Sequence, residues 1–343
     1  MIINSQKRSF GRGAKVSLFT LGTMRATESL EKMYSIIKNA YYVGINHIET
    51  APSYGDAESL IGNSIKKLAI EENIKEKNWV ITSKVLPKGD FDFLKNNFKK
   101  SLKNLNREKI NNLAIHGLNL KQHLDWVLSG EGKKFISWIL EKELVDQVGF
   151  SSHGSYSLIK DAINCEVFTF CSLHLHYLDQ SKIALAEEAI KKGMGVLAIS
   201  PADKGGRLYS PSDILIEASK PFHPLELAYR FLLAKGITTL SLGATNKKDF
   251  EFAHKLRNSF EKLTKLEKSA LNKIEEVSNE RLNSTKCEQC RSCLPCPNEV
   301  PIPEILKYIC WLWPIRICKR KIQFNRKSWP LVGRKKFLIL SRM

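Results

Sequence analysis

Four cysteines, Cys287, Cys290, Cys293 and Cys296, fall within ten residues, and Pro297 follows the last of them. So dense a set of thiols calls for an inorganic partner. Zinc ribbons and fingers separate two cysteine pairs by about 12–20 residues so that two knuckles can face one ion. Here only Arg291 and Ser292 stand between the pairs. A C-x2-C-x2-C run closed by Cys-Pro instead lets one compact loop wrap the corners of a [4Fe–4S] cube. That reading is preferred over zinc and over disulfides.

A second set of reactive types is spread through the first third of the chain: Glu49, Tyr54, Lys84 and His116. Each alone has an ordinary explanation as a surface or packed polar group. Converging, they would make a proton-delivery device, because an ammonium beside a phenol favours the phenolate.

The elements that would position them recur about every 30 residues. Short apolar or β-branched runs occupy Lys15 to Thr20, Ile45 to Glu49, Trp79 to Lys84, Asn112 to His116, Gln147 to Phe150, Val167 to Leu173, Val196 to Ser200 and Thr238 to Gly243. Helical spacing fills the intervals at Ser29 to Tyr42, Ala57 to Ala69, Phe91 to Leu105, Ser181 to Lys192 and Pro224 to Lys235. Eight alternations of strand and helix predict an α/β fold of the (β/α)8 barrel type, and the absence of a Gly-rich phosphate fingerprint after the early strands weighs against a doubly wound sheet. In such a barrel the chemistry sits at the C-terminal ends of the strands. Glu49, Lys84 and His116 each close a run there, and Tyr54 lies just beyond the second.

The expected organisation is a barrel over residues 13–280, a small ferredoxin-like cysteine segment over 283–309, and an atypical basic tail over 310–343. The 343 residues carry a formal charge of +19. Ten of the Lys and Arg lie in residues 311–343, which hold no acid, leaving 44 basic against 35 acidic residues elsewhere. That excess reads as solvated lysine faces rather than a nucleic-acid surface. No apolar run reaches the 18–20 residues of a membrane span, and the polar start, Met1 to Gly13, has no signal core. Neither a membrane nor a nucleic-acid partner is expected, and the expected location is the cytoplasm.

The sequence also resembles the aldo-keto reductase family, in particular its bacterial branch with a C-terminal 4Fe–4S ferredoxin-type segment. The residues carrying the likeness are Leu21 to Met24, Gly44 to Gly55 with Glu58 and Ile61-Gly62, Ser83-Lys84, Ile115 to Gly117, Gly149 to Ser151, Gly205 to Leu208 and the cysteine loop. The resemblance implies hydride transfer from NADPH, or NADH, to a small-molecule carbonyl. Tyr54 would be the general acid, Lys84 its pKa-lowering partner, His116 the group orienting the carbonyl oxygen, and Glu49 would stand at the family's aspartate position, one methylene longer. For the cofactor it implies Gly22 and Thr23, Ser151 and Ser152 where relatives carry Ser-Asn, Ser172 where they carry Gln, then Ser200, Pro201, Arg207, Gly243, Thr245 and Lys247 towards the sugar and phosphates. Substrate choice would rest with the loops at residues 118–123 and 204–210. A rival expectation is an electron-transfer or redox-sensing module that binds nicotinamide, serves a redox protein partner and has no carbonyl substrate.

From Cys310 the chain loses all periodicity, with Trp311, Trp313, Cys318 and Trp329 scattered through basic sequence. A membrane or nucleic-acid arm is one reading. A frameshift near Cys310 is the simpler one, and it would have removed a second cysteine motif.

Overall fold

In the computed structural model the described residues are 5–203 and 206–282, with Cys293, Cys296, Pro297, Asn298, Val300 and Ile302 beyond them. The chain divides into two compact units, residues 1–292 and 293–343. Cys287 and Cys290, the rest of the 283–309 segment and the 310–343 tail with its frameshift reading lie outside the described residues. Cys293 is exposed, Cys296 is half-buried, and neither is in a disulfide.

The first unit opens with a two-stranded antiparallel hairpin, β1 (Lys7–Arg8) and β2 (Val16–Ser17). Eight parallel strands then close a barrel: β3 (Phe19–Gly22), β4 (His47–Glu49), β5 (Val80–Val85), β6 (Ile110–Ile115), β7 (Val145–Ser152), β8 (Phe170–His174), β9 (Gly195–Ile199) and β10 (Thr239–Leu242). β10 pairs with both β9 and β3, so no edge remains. The predicted eight-stranded barrel is therefore present. Several boundaries differ: the run from Lys15 is split, with Val16 and Ser17 in the hairpin and the barrel strand beginning at Phe19, β4 begins at His47 rather than Ile45, β7 extends over Val145–Ser152, and β8 begins at Phe170 rather than Val167.

The helices follow their sequence signals closely. α1 (Leu30–Tyr42) begins after Ser29, whose hydroxyl accepts from Lys32 N, and it buries Met33, Ile36, Ile37 and Ala40 at three- and four-residue spacing. α2 (Ala57–Glu71) starts directly after the Tyr54 loop. Asp90 caps α3 (Phe91–Asn104) through Phe93 N. α4 (Lys121–Ser129), α5 (Glu131–Glu141), α6 (Tyr156–Asn164), α7 (Ile183–Lys191) and α8 (Asp213–Ser219) complete the outer layer, together with α9 (Pro224–Ala234), which has proline at its first position. After α10 (Glu251–Leu256), α11 (Lys265–Leu282) buries Ala270, Leu271 and Ile274.

The hairpin serves the barrel floor. Phe10, at its turn, is fully buried in one cluster with Val16, Val80, Ala114, Phe170 and Leu197. Its ring lies 4.9 Å from Phe170 and 5.3 Å from His47. Glycine is required where the plug meets β9, since a Cβ on Gly195 would come 2.4 Å from the Phe10 ring. Above the plug runs a chain of buried polar side chains. Thr20 Oγ1 lies 2.7 Å from both Thr239 Oγ1 and His47 Nδ1, and His47 Nε2 lies 2.7 Å from Thr82 Oγ1. Asn112 donates to Thr82, and Gln147 donates to Asn112 and to the Phe10 carbonyl. Barrel interiors are usually filled by branched aliphatics. Here paired polar groups take one layer, each partner satisfying the next.

Candidate active site

The C-terminal strand ends bring Glu49, Tyr54, Lys84 and His116 into one cluster. Glu49 is the last residue of β4, and Lys84 is the fifth of the six residues of β5. His116 follows β6 directly, its amide donating to the Val85 carbonyl at 2.7 Å. Lys84 and Glu49 are almost fully buried and form an ion pair. The same ammonium donates to the Thr50 carbonyl at 2.8 Å and to the Tyr54 hydroxyl at 3.0 Å. The Tyr54 and His116 rings meet edge to face at 6.0 Å, and the Ser53 hydroxyl lies 3.5 Å from His116 Nδ1.

Burial would depress the Lys84 ammonium, but Glu49 and Tyr54 raise its pKa above the ordinary lysine value. Lys84 is therefore a fixed cation. Tyr54 goes the opposite way from the sequence expectation of a lowered phenol. Its pKa is raised, first by burial and then by the Glu49 charge, and Lys84 only partly offsets them through its charge and hydrogen bond. The phenol stays protonated at neutral pH and keeps a proton to deliver. His116 is pushed down to about 4 by burial, Lys84 and His153, so its imidazole is neutral at pH 7.

The remaining sequence-named residues ring the same end. Gly22 ends β3, where a Cβ would come 2.8 Å from Ser241 Oγ, so glycine keeps the β3 and β10 ends close. Thr23 Oγ1 donates to the Glu49 carbonyl at 3.1 Å, tying the first loop to the cluster. Ser151 Oγ accepts from Gly117 N at 3.0 Å. Ser152 Oγ donates to the Leu118 carbonyl at 2.6 Å and accepts from Gly154 N at 2.9 Å. Those two serines lock the loops after β6 and β7 together. Ser172, inside β8, differs: its hydroxyl is buried with no hydrogen-bond partner. Ser200, just past β9, has left-handed backbone (φ 55°), and Pro201 follows it. Arg207 opens a 3-10 turn at Arg207–Tyr209.

Beyond β10, the amide and hydroxyl of Thr245 donate to Asp249, as does the Asn246 amide, so this turn's first N–H groups are already engaged. Lys247 is exposed on this turn, beside the equally exposed Lys248. Sequence reasoning missed Arg25. Its guanidinium reaches to within 3.1 Å of where a Gly206 Cβ would stand, and its Cδ lies 3.5 Å from the same point on Gly243. An arginine three residues past a barrel strand was the signal available.

The chain has relatives among known proteins. The profile of the Aldo/keto reductase family matches residues 19–280. The chain belongs to that family. Among curated aldo/keto reductases it is 29% identical over 216 residues to an aldose reductase of Encephalitozoon cuniculi, a match covering 58% of this chain and 69% of that one. It is 25% identical over 214 residues to an aldo-keto reductase of Strobilurus tenacellus, covering 60% of this chain and 61% of the relative. The fold matches the holo form of an aldo-keto reductase from Bacillus halodurans with TM-score 0.66 at 19% identity, over 79% of this chain and 96% of that one. An aldose reductase from Schistosoma japonicum matches with TM-score 0.62 at 19% identity, over 78% and 91% of the two chains. The protein is thus an aldo/keto reductase-type oxidoreductase that uses a nicotinamide cofactor, as the family does. No described helix is long and apolar enough to cross a membrane.

Proposed function

We propose that this aldo/keto reductase reduces small aldehydes or ketones to alcohols with Tyr54 as the proton donor. The observation carrying the proposal is the buried contact of Tyr54 OH with the Lys84 ammonium, itself paired with Glu49. When bound, a reduced nicotinamide supplies the hydride for the carbonyl carbon. The Tyr54 hydroxyl supplies the proton for the oxygen, its O–H bond breaking as the alcohol O–H forms. The negative charge left on the phenol is stabilised by Lys84 at 3.0 Å. Neutral His116 orients the carbonyl oxygen as a ring N–H donor and brings no competing charge. Glu49, despite its extra methylene, serves the aspartate's purpose by holding Lys84 charged.

The residues at the mouth suit a nicotinamide cofactor. The orphaned Ser172 hydroxyl is a buried group in want of a partner, and the carboxamide can provide one. Arg25, Arg207 and Lys247 supply positive charge for the phosphates, Lys247 for a 2′-phosphate, which favours NADPH over NADH. Ser152, spent on Leu118 and Gly154, positions the loops rather than gripping the cofactor.

We further propose that Cys287, Cys290, Cys293 and Cys296 hold a [4Fe–4S] cluster in the manner of the bacterial branch, over a segment at 283–309 distinct from the 13–280 barrel. The support is the C-x2-C-x2-C-x2-C-P spacing. The basic tail from Cys310 is then the product of a shifted frame. Native tryptic peptides that match residues 311–343 would contradict the frameshift.

The test of function is NADPH oxidation by anaerobically purified protein, followed with and without added aldehydes. Aldehyde-dependent oxidation is the predicted result. NADPH binding with no turnover of any aldehyde or ketone, accompanied by bleaching of an iron–sulfur band, would replace this reading with an electron-transfer role.

A further inference from the structure

β8 leaves the barrel through His174, and the chain then turns back on itself after His176. Asp179 N donates to the His176 carbonyl at 3.1 Å, and the two residues form an isolated antiparallel bridge. Residues two apart along an extended segment face the same side, which brings the His174 and His176 rings edge to face at 5.0 Å. The turn adds the carboxylate. One ligand atom from each of His174, His176 and Asp179 lies within 4.8 Å of the other two.

From this geometry we propose that His174, His176 and Asp179 form a binding site for a divalent first-row transition-metal ion such as zinc. The site is separate from the Tyr54 group and independent of the assignment of carbonyl reduction. Two imidazole nitrogens and one carboxylate oxygen are borderline donors that suit Zn2+ over Mg2+ or Ca2+, and three protein ligands leave a coordination position open for water or another small ligand.

The surroundings are those of a prepared site. Asp203 Oδ1 lies 3.5 Å from His176 Nε2, and both side chains are buried. A carboxylate behind an imidazole fixes the ring and raises the basicity of its other nitrogen, the arrangement found behind metal-bound histidines. Asp203 shares its second oxygen with Arg207 at 4.0 Å. Asp179 is held through Oδ1 by the amide and hydroxyl of Ser181, at 3.3 and 2.7 Å. His153, which helps depress His116, has its ring 5.9 Å from His174. The site therefore stands beside the reacting residues without sharing any of them.

The test is titration of the full-length protein with Co2+. The cysteine loop offers thiolates to the same ion, but thiolate complexes show a sulfur-to-cobalt charge-transfer band that imidazole–carboxylate complexes lack. The expected result is one equivalent of cobalt bound with a thiolate-free spectrum and competed by Zn2+. His174→Ala and Asp179→Ala, both at half-exposed positions that tolerate truncation, should lose it. Asp203→Asn should weaken it about 10- to 100-fold. Only a thiolate-type spectrum, or undiminished thiolate-free binding in either alanine variant whose thermal transition is intact, overturns the site.

Discussion

The floor and the mouth of this barrel each hold a histidine with a depressed pKa, and the two are held in opposite ways. His47, at the floor, is driven down to about 3 by burial and has both ring nitrogens taken by threonine hydroxyls at 2.7 Å. His116, at the mouth, is driven down to about 4, and among the described residues its ring nitrogens have one polar contact, the Ser53 hydroxyl at 3.5 Å. The same contrast runs through the hydroxyls. Thr20 and Thr82 are paired at the floor, while Thr50 and Ser172 are buried near the strand ends without partners. Saturated polar groups specify structure, whereas the orphaned Ser172 hydroxyl is one that a ligand at the mouth can complete.

The largest effect that could break this contrast is at Lys84. Lys84→Met should cut carbonyl reduction by about 10²-fold or more, since the phenolate loses its stabilising cation. It should also lower stability by roughly 3–5 kcal/mol, because Glu49 is left buried without its partner. Steady-state rates and denaturant unfolding read both, and a variant of normal stability and rate would dissolve the mouth as a distinct region. Phe10→Ala should act on the floor alone, costing about 3–5 kcal/mol of stability through the cavity it opens under the polar layer. Its kcat in folded protein should stay near that of the wild type.

A pH series sharpens the comparison further. The folded pKa of His47 lies below the ordinary 6.5, so the unfolded chain takes up a proton near pH 6.5 that the folded barrel refuses. Stability is full above that pH and falls below it by about 1.4 kcal/mol per pH unit for such a histidine. His47→Gln should remove its own share of this slope between pH 6.5 and 4, leaving the share of His116, which is depressed to about 4 over the same window. An unchanged slope would show that the floor histidine titrates freely. The smallest effect is expected at Ser172→Ala. Losing a hydrogen bond of about 1 kcal/mol should raise the Kd for NADPH roughly fivefold and leave unfolding unaltered or slightly harder, since the orphaned hydroxyl is gone.

How much of this was legible in sequence followed from period and position. Eight apolar runs and their amphipathic partners gave the barrel because strand and helix periods differ. Strand-end placement picked out Glu49, Lys84 and His116, with Tyr54 just beyond. The hairpin was not legible, because two-residue strands such as Lys7–Arg8 have no period, and neither was the role of Phe10, which rests on a long-range contact with Phe170. The direction of the Tyr54 shift was missed for a related reason. A lysine neighbour could be inferred from spacing, but burial and the Glu49 charge, which outweigh it, depend on the assembled mouth. Ser151 and Ser152 read as cofactor ligands in sequence, and only the fold reveals their bonds to the loop after β6.

The central claim, that the mouth delivers a proton from Tyr54, is tested most directly by Tyr54→Phe, with NADPH-dependent aldehyde reduction and NADPH binding measured on the same preparation. The account predicts a fall of about 10²- to 10⁴-fold in kcat with the cofactor Kd unchanged. Undiminished turnover by the phenylalanine variant would contradict it.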